Sequence, residues 1–80
     1  MSFRIKLTER RGSEDMFVMD NIAPKLFKTR FEAKQWLESF VTEGHWRGYE
    51  VFVTSMTNTV IYSKVVAGKW QLKIYEIVEA

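Results

Sequence analysis

The chain has 80 residues, of which 46% are hydrophobic and 15% aromatic, with no cysteine and a net charge of +2 from 12 basic and 10 acidic side chains. A chain of this length makes one domain and buries about 60–65% of its unfolded surface, which leaves little for a deep catalytic cleft. The lack of cysteine excludes disulfides, thiolate nucleophiles, zinc–thiolate sites and iron–sulfur clusters. The small mixed charge lacks the long basic run that grips nucleic acid, and no stretch approaches the ~18 apolar residues of a membrane helix.

Residues 3–8 alternate Phe3, Ile5 and Leu7 with Arg4, Lys6 and Thr8. That period of two predicts a strand with one buried face. The same N-terminal stretch has no continuous apolar core of the signal-peptide kind. The expectation is an intracellular chain, in the cytoplasm or, were it viral, the host cytoplasm. Arg10-Arg11-Gly12-Ser13-Glu14-Asp15 reads as a turn or short loop, and Met16-Phe17-Val18-Met19 as a second strand, together an N-terminal hairpin. Asp20-Asn21-Ile22-Ala23-Pro24 breaks that strand, because Pro24 lacks a backbone donor and turns Ala23 away from helical angles. Residues 25–28 form an extended lead-in.

Thr29 with Glu32 three residues later spells a capping box, in which the hydroxyl and carboxylate satisfy otherwise orphaned amides. Ala33, Trp36, Leu37, Phe40 and Val41 then follow the spacing of one helix face, while Arg30, Lys34, Glu38 and Thr42 run down another. With Gly44 as a stop, the spacing predicts a helix over residues 30–43. His45-Trp46-Arg47-Gly48 connects to a β-branched and aromatic strand over 49–55. Residues 56–58 turn, 59–66 form a strand, 67–69 turn tightly, and 70–78 form the last strand. The order β-β-α-β-β-β with short connections predicts an α+β two-layer sandwich: a single domain, 1–80, with one helix on a four- or five-stranded antiparallel sheet.

With Phe3, Ile5, Leu7, Trp70, Leu72 and Ile74 assigned to the helix side, Arg4, Lys6, Gln71, Lys73 and Tyr75 fall on the open side. Basic groups beside an aromatic ring suit a phosphate backbone or a stacked base, so Arg4, Lys6, Lys73 and Tyr75 are a candidate nucleic-acid or partner surface. The alternative is a solvated sheet face. Phe52, Tyr75 and Ile77 do not all fit on the buried side beside Val51, Val53, Ile74 and Val78; those left out together would form an apolar partner patch, the alternative being that the N-terminal hairpin or a loop folds over them. In the loop after the helix, Trp46, Arg47 and Tyr49 are residue types enriched at binding hot spots, although Trp46 would equally well close the core beneath the helix end.

Nothing spells out catalysis. His45 is the single histidine and has no orienting partner in the sequence; Glu14, Asp15 and Asp20 flank a hairpin among basic residues; the glycines at 12, 44, 48 and 68 are too scattered for a phosphate loop. No cofactor or metal is expected.

The string Phe27-Lys28-Thr29-Arg30-Phe31-Glu32-Ala33, with Trp36-Leu37, resembles the start of the helix in the arm-type DNA-binding domains of tyrosine recombinases. Those domains lay a three-stranded sheet in a DNA groove with a helix behind it. The likeness covers residues 27–37, the three strands after the helix depart from that family's order, and no functional residue carries over. In its compactness the chain also resembles small bacteriophage proteins. The expectation is a non-catalytic protein-binding or assembly module acting through an exposed sheet face or edge, on an unknown protein partner or a second copy of itself, with a nucleic-acid-binding module as the alternative and no membrane partner.

Overall fold

The computed structural model describes residues 1–43, 49–54 and 59–80. Its elements are β1 (Phe3–Arg11), β2 (Glu14–Met19), α1 (Arg30–Glu43), β3 (Glu50–Thr54), β4 (Thr59–Val66) and β5 (Lys69–Glu79). The five strands form one antiparallel sheet in the order β2-β1-β5-β4-β3, with α1 against one face. The expected α+β sandwich is observed, with β1 and β5 from the two ends of the chain paired at its centre.

The first hairpin runs further than its polar composition suggested. Only Gly12 and Ser13 turn, and Gly12 alone of the two has positive φ, 61°, the pattern of a type II′ turn. The charged residues stay in the ladder because they pair across it: Arg10 Nε lies 2.7 Å from Asp15 Oδ1. Glu9 pairs with Phe17 but Arg10 with Asp15, so Met16 is the extra residue of a bulge. At the other hairpin Val66 pairs with Lys69, and the two residues between them, Ala67 and Gly68, have φ of 52° and 77°. Two positive values define a type I′ turn, which matches the twist of the flanking strands and sets their register.

The lead-in to the helix covers the part of β1 that β2 leaves open. Phe3 and Phe27 exchange backbone hydrogen bonds of 2.8 and 2.9 Å, and the Ile22 amide donates to the Ile5 carbonyl at 2.9 Å. The Asn21 side chain holds the reversal: its Oδ1 accepts from the amides of Ala23 at 3.0 Å and Ile5 at 3.3 Å, and its Nδ2 donates to the Lys25 carbonyl. An Asx turn of this sort lets the chain change direction while its buried amides stay satisfied.

The helix starts as its cap foretold, with the Glu32 amide donating to Thr29 Oγ1 at 3.1 Å. Ala33 and Leu37 are buried on the sheet, with Trp36 and Phe40 packed beside them; the side chain of Val41 lies outside what is described. An aromatic chain links the layers. Trp36 stacks on Phe40 at 5.2 Å between centroids, Phe40 meets Tyr75 edge-on at 6.0 Å, and Tyr75 meets Tyr62 at 5.9 Å.

One assignment of faces is corrected. Residues directly opposite in an antiparallel ladder share a face. Ile5 pairs with Ile77 and Leu7 with Tyr75, so Tyr75 and Ile77, not Leu72 and Ile74, join Phe3 and Ile5 under the helix. Trp70, Leu72, Ile74 and Val78 occupy the opposite face with Arg4, Lys6, Thr8 and Arg10. The cause is that the alternation of β5 favours Trp70, Leu72, Ile74 and Val78 over a set in which Tyr75 and Ile77 stand with Lys69, Gln71 and Lys73, so alternation alone picks the wrong face. The pairing with β1, which is apolar on one face, makes the choice.

Candidate functional site

The residues expected to form a basic and aromatic surface are divided by the sheet. Arg4 and Lys6 are on the open face, where Arg4 Nη1 donates to the Glu79 carbonyl at 2.8 Å. Lys73 is on the helix side, its Nζ 3.5 Å from Glu9 Oε1, the residue directly across the ladder. Tyr75 is 1% exposed in the core. Burial, followed by the neighbouring Tyr62, Glu9 and Tyr49, pushes its hydroxyl up to about 12, so it stays neutral at physiological pH. The placement of Lys73 and Tyr75 on an open face is therefore corrected.

Of the expected loop hot spot, Trp46 and Arg47, like His45, lie outside the described residues. Tyr49 is half-buried on the helix side beyond the end of α1, with Lys64 Nζ 4.5 Å and Lys73 Nζ 5.9 Å from its ring centroid. Two ammonium groups on one ring hold it in place through cation–π attraction. Beside it lies an open depression of about 180 Å³, bordered by Glu9, Arg11, Met16 and Lys73. Asp15 is tied to Arg10, and among the described residues no group of three histidine or carboxylate side chains is placed to hold a metal.

The open face carries most of what is unusual. Down β5 it presents Trp70, Leu72, Ile74 and Val78; β4 adds Ile61 and Val65; β2 adds Val18. Val65 pairs with Trp70, and these two are 56% and 55% exposed, a bare apolar pair at the far end of the sheet from the helix. Thr8 and Ser63 are buried within this layer, and Ile61, Leu72, Ile74 and Val78 are half-buried. Arg4 and Lys6 border it. Every described strand belongs to the sheet and α1 packs on its other side, so no described element covers this face.

Sequence reasoning anticipated an apolar patch but included Tyr75 and Ile77, which lie in the core; the side chain of Phe52, its third expected member, lies outside what is described. The usable signal was in β4 and β5. Both carry apolar residues at odd and even positions, and a single helix can cover only one face of the sheet they form.

No protein-family model matches the chain, and neither a curated protein nor a solved structure matches it significantly.

Proposed function

We propose that this domain is a non-catalytic protein-binding module that docks a partner protein on the sheet face away from the helix. The supporting observation is the exposed pair Trp70 and Val65, continuous with Leu72, Ile74 and Ile61 on a face that α1 does not cover. Monomeric domains seldom leave a run of large apolar side chains bare, and tryptophan leads the residue types whose burial dominates interface energy. Arg4 and Lys6 at the border suit a partner whose apolar surface is edged with carboxylates, which steers the encounter and sets its register. A nucleic-acid module built on Arg4, Lys6, Lys73 and Tyr75 has less support, since those four are split between the two faces.

The test is affinity capture from the lysate of the source cell with wild type and with Trp70→Lys, Val65→Lys and Phe31→Lys. Phe31 is exposed on the helix, so its substitution controls for the loss of any surface apolar group. A partner held by wild type and Phe31→Lys, and lost from the other two, supports the reading. Equal capture by all four proteins refutes it.

A further inference from the structure

We infer that β2 pairs with β2 of a second copy of the chain, about a two-fold axis that passes through Val18. The inference goes beyond the docking face and does not depend on it.

β2 is one edge of the sheet. The remainder of that edge is closed, since the backbone of Phe27 covers β1 at Phe3. β2 itself offers an unpaired row of backbone donors and acceptors, and its Met16, Phe17, Val18 and Met19 are 44–60% exposed. Natural edges are commonly protected by charge or proline at such positions, and an apolar edge is a template for another strand. Here the charges stand outside the apolar run, at Glu14, Asp15 and Asp20.

A second copy offers the same apolar run, and the charges that flank it restrict the register of the pairing. Two copies of one strand pair antiparallel about an axis normal to the sheet, so one residue must face its own copy. Centred on Phe17, the pairing sets Glu14 against Asp20 twice over. Centred on Met19, it sets Val18 against Asp20 and leaves Phe17 opposite Asn21. Centred on Met16, it falls on the bulge and sets both Asp15 and Glu14 against apolar side chains. Centred on Val18, it sets Phe17 against Met19 twice on the helix side and Val18 against Val18 on the open side, three apolar pairs in all; Asp20 then falls opposite Met16 at the bulge, and no carboxylate opposes another. This register also uses the regular part of the strand, residues 17–19, beyond the bulge. Phe17 with Met19 is a favourable sulfur–aromatic pair. Two five-stranded sheets then become one, with both open faces on the same side. The pairing is short, so the dimer is expected to be weak and to dissociate on dilution.

The natural absence of cysteine allows a direct test by single-cysteine scanning. Residues opposite each other across an antiparallel pair lie roughly 4.5–5.5 Å apart at Cα, within the disulfide range. Val18→Cys is therefore expected to oxidise to a covalent dimer at least ten-fold faster than Phe17→Cys or Met19→Cys, whose own copies would lie roughly 8 Å away. A mixture of Phe17→Cys with Met19→Cys is expected to cross-link. Sedimentation of wild type should show a dimer that grows with concentration, and Val18→Lys should remain monomeric with unchanged circular dichroism. Wild type monomeric at millimolar concentration, or equal oxidation at all three positions, overturns the inference. Trp70→Lys keeps the two ideas apart: it is expected to lose the docked partner and keep the dimer.

Discussion

Replacing Ala67 by asparagine should stabilise the protein although residue 67 is exposed and at a surface turn. Ala67 has φ of 52°, and an alanine held in left-handed geometry bears a steric cost of about 1–2 kcal/mol. Asparagine tolerates that region, and Asn-Gly is the favoured pair of a type I′ turn. The expected gain for Ala67→Asn is about 1 kcal/mol, or a rise in Tm of roughly 4–8 °C for a domain of this size. Ala67→Gly removes the same strain but frees the unfolded chain by about 0.5–1 kcal/mol, so it should gain less. Ala67→Val places a branched side chain at the same angle and should destabilise. Urea unfolding followed by circular dichroism measures all three; the midpoint should move while the slope stays constant. A loss of stability in Ala67→Asn, or a larger gain in Ala67→Gly, would refute the type I′ assignment. The consequence would reach beyond the turn. A one-residue slip between β4 and β5 carries every side chain of one strand to the other face, and the Trp70–Val65 pair would be broken.

Three further outcomes are expected. Leu37→Ala, at a side chain 2% exposed beneath the helix, should cost about 2–5 kcal/mol in thermal or chemical unfolding, whereas Phe31→Ala on the exposed side of the same helix should change stability by less than about 0.5 kcal/mol. Thr29→Ala removes the hydroxyl that accepts from the Glu32 amide and should cost about 1 kcal/mol, measured by the same melts. Stability should fall between pH 10 and 12. In that window the tyrosine of the unfolded chain loses its proton while Tyr75, raised to about 12 by burial, keeps it, so the contribution is complete below pH 10 and is lost as pH rises through the folded value. Tyr62, also raised by burial, acts in the same direction. Urea unfolding across this range should show a weaker decline in Tyr75→Phe; an unchanged decline would contradict the assignment.

Several features were legible in the residues because they are local. The cap Thr29 bonds a residue three positions away, the face Ala33, Leu37 and Phe40 repeats with each helical turn, and Ala67-Gly68 announces a turn by its own composition. The strands were legible for the same reason, although the Arg10–Asp15 pair carried the first hairpin further into polar sequence than composition suggested.

What only the tertiary structure decided is which side of the sheet faces the helix, and so which residues make up the candidate surface. A period of two identifies a strand and names two sets of side chains, but it ranks them only when one set is polar. In β5 the set Trp70, Leu72, Ile74 and Val78 is the more apolar, while Tyr75 and Ile77 share their face with Lys69, Gln71 and Lys73. That local preference was overridden by residues some seventy positions away in sequence, when Ile5 met Ile77 and Leu7 met Tyr75. The choice followed because β1 has a single apolar face and the helix reaches only the end of the sheet where those pairs lie. Long-range pairing buried a tyrosine and left a tryptophan in water, an outcome that local hydrophobicity alone would have reversed.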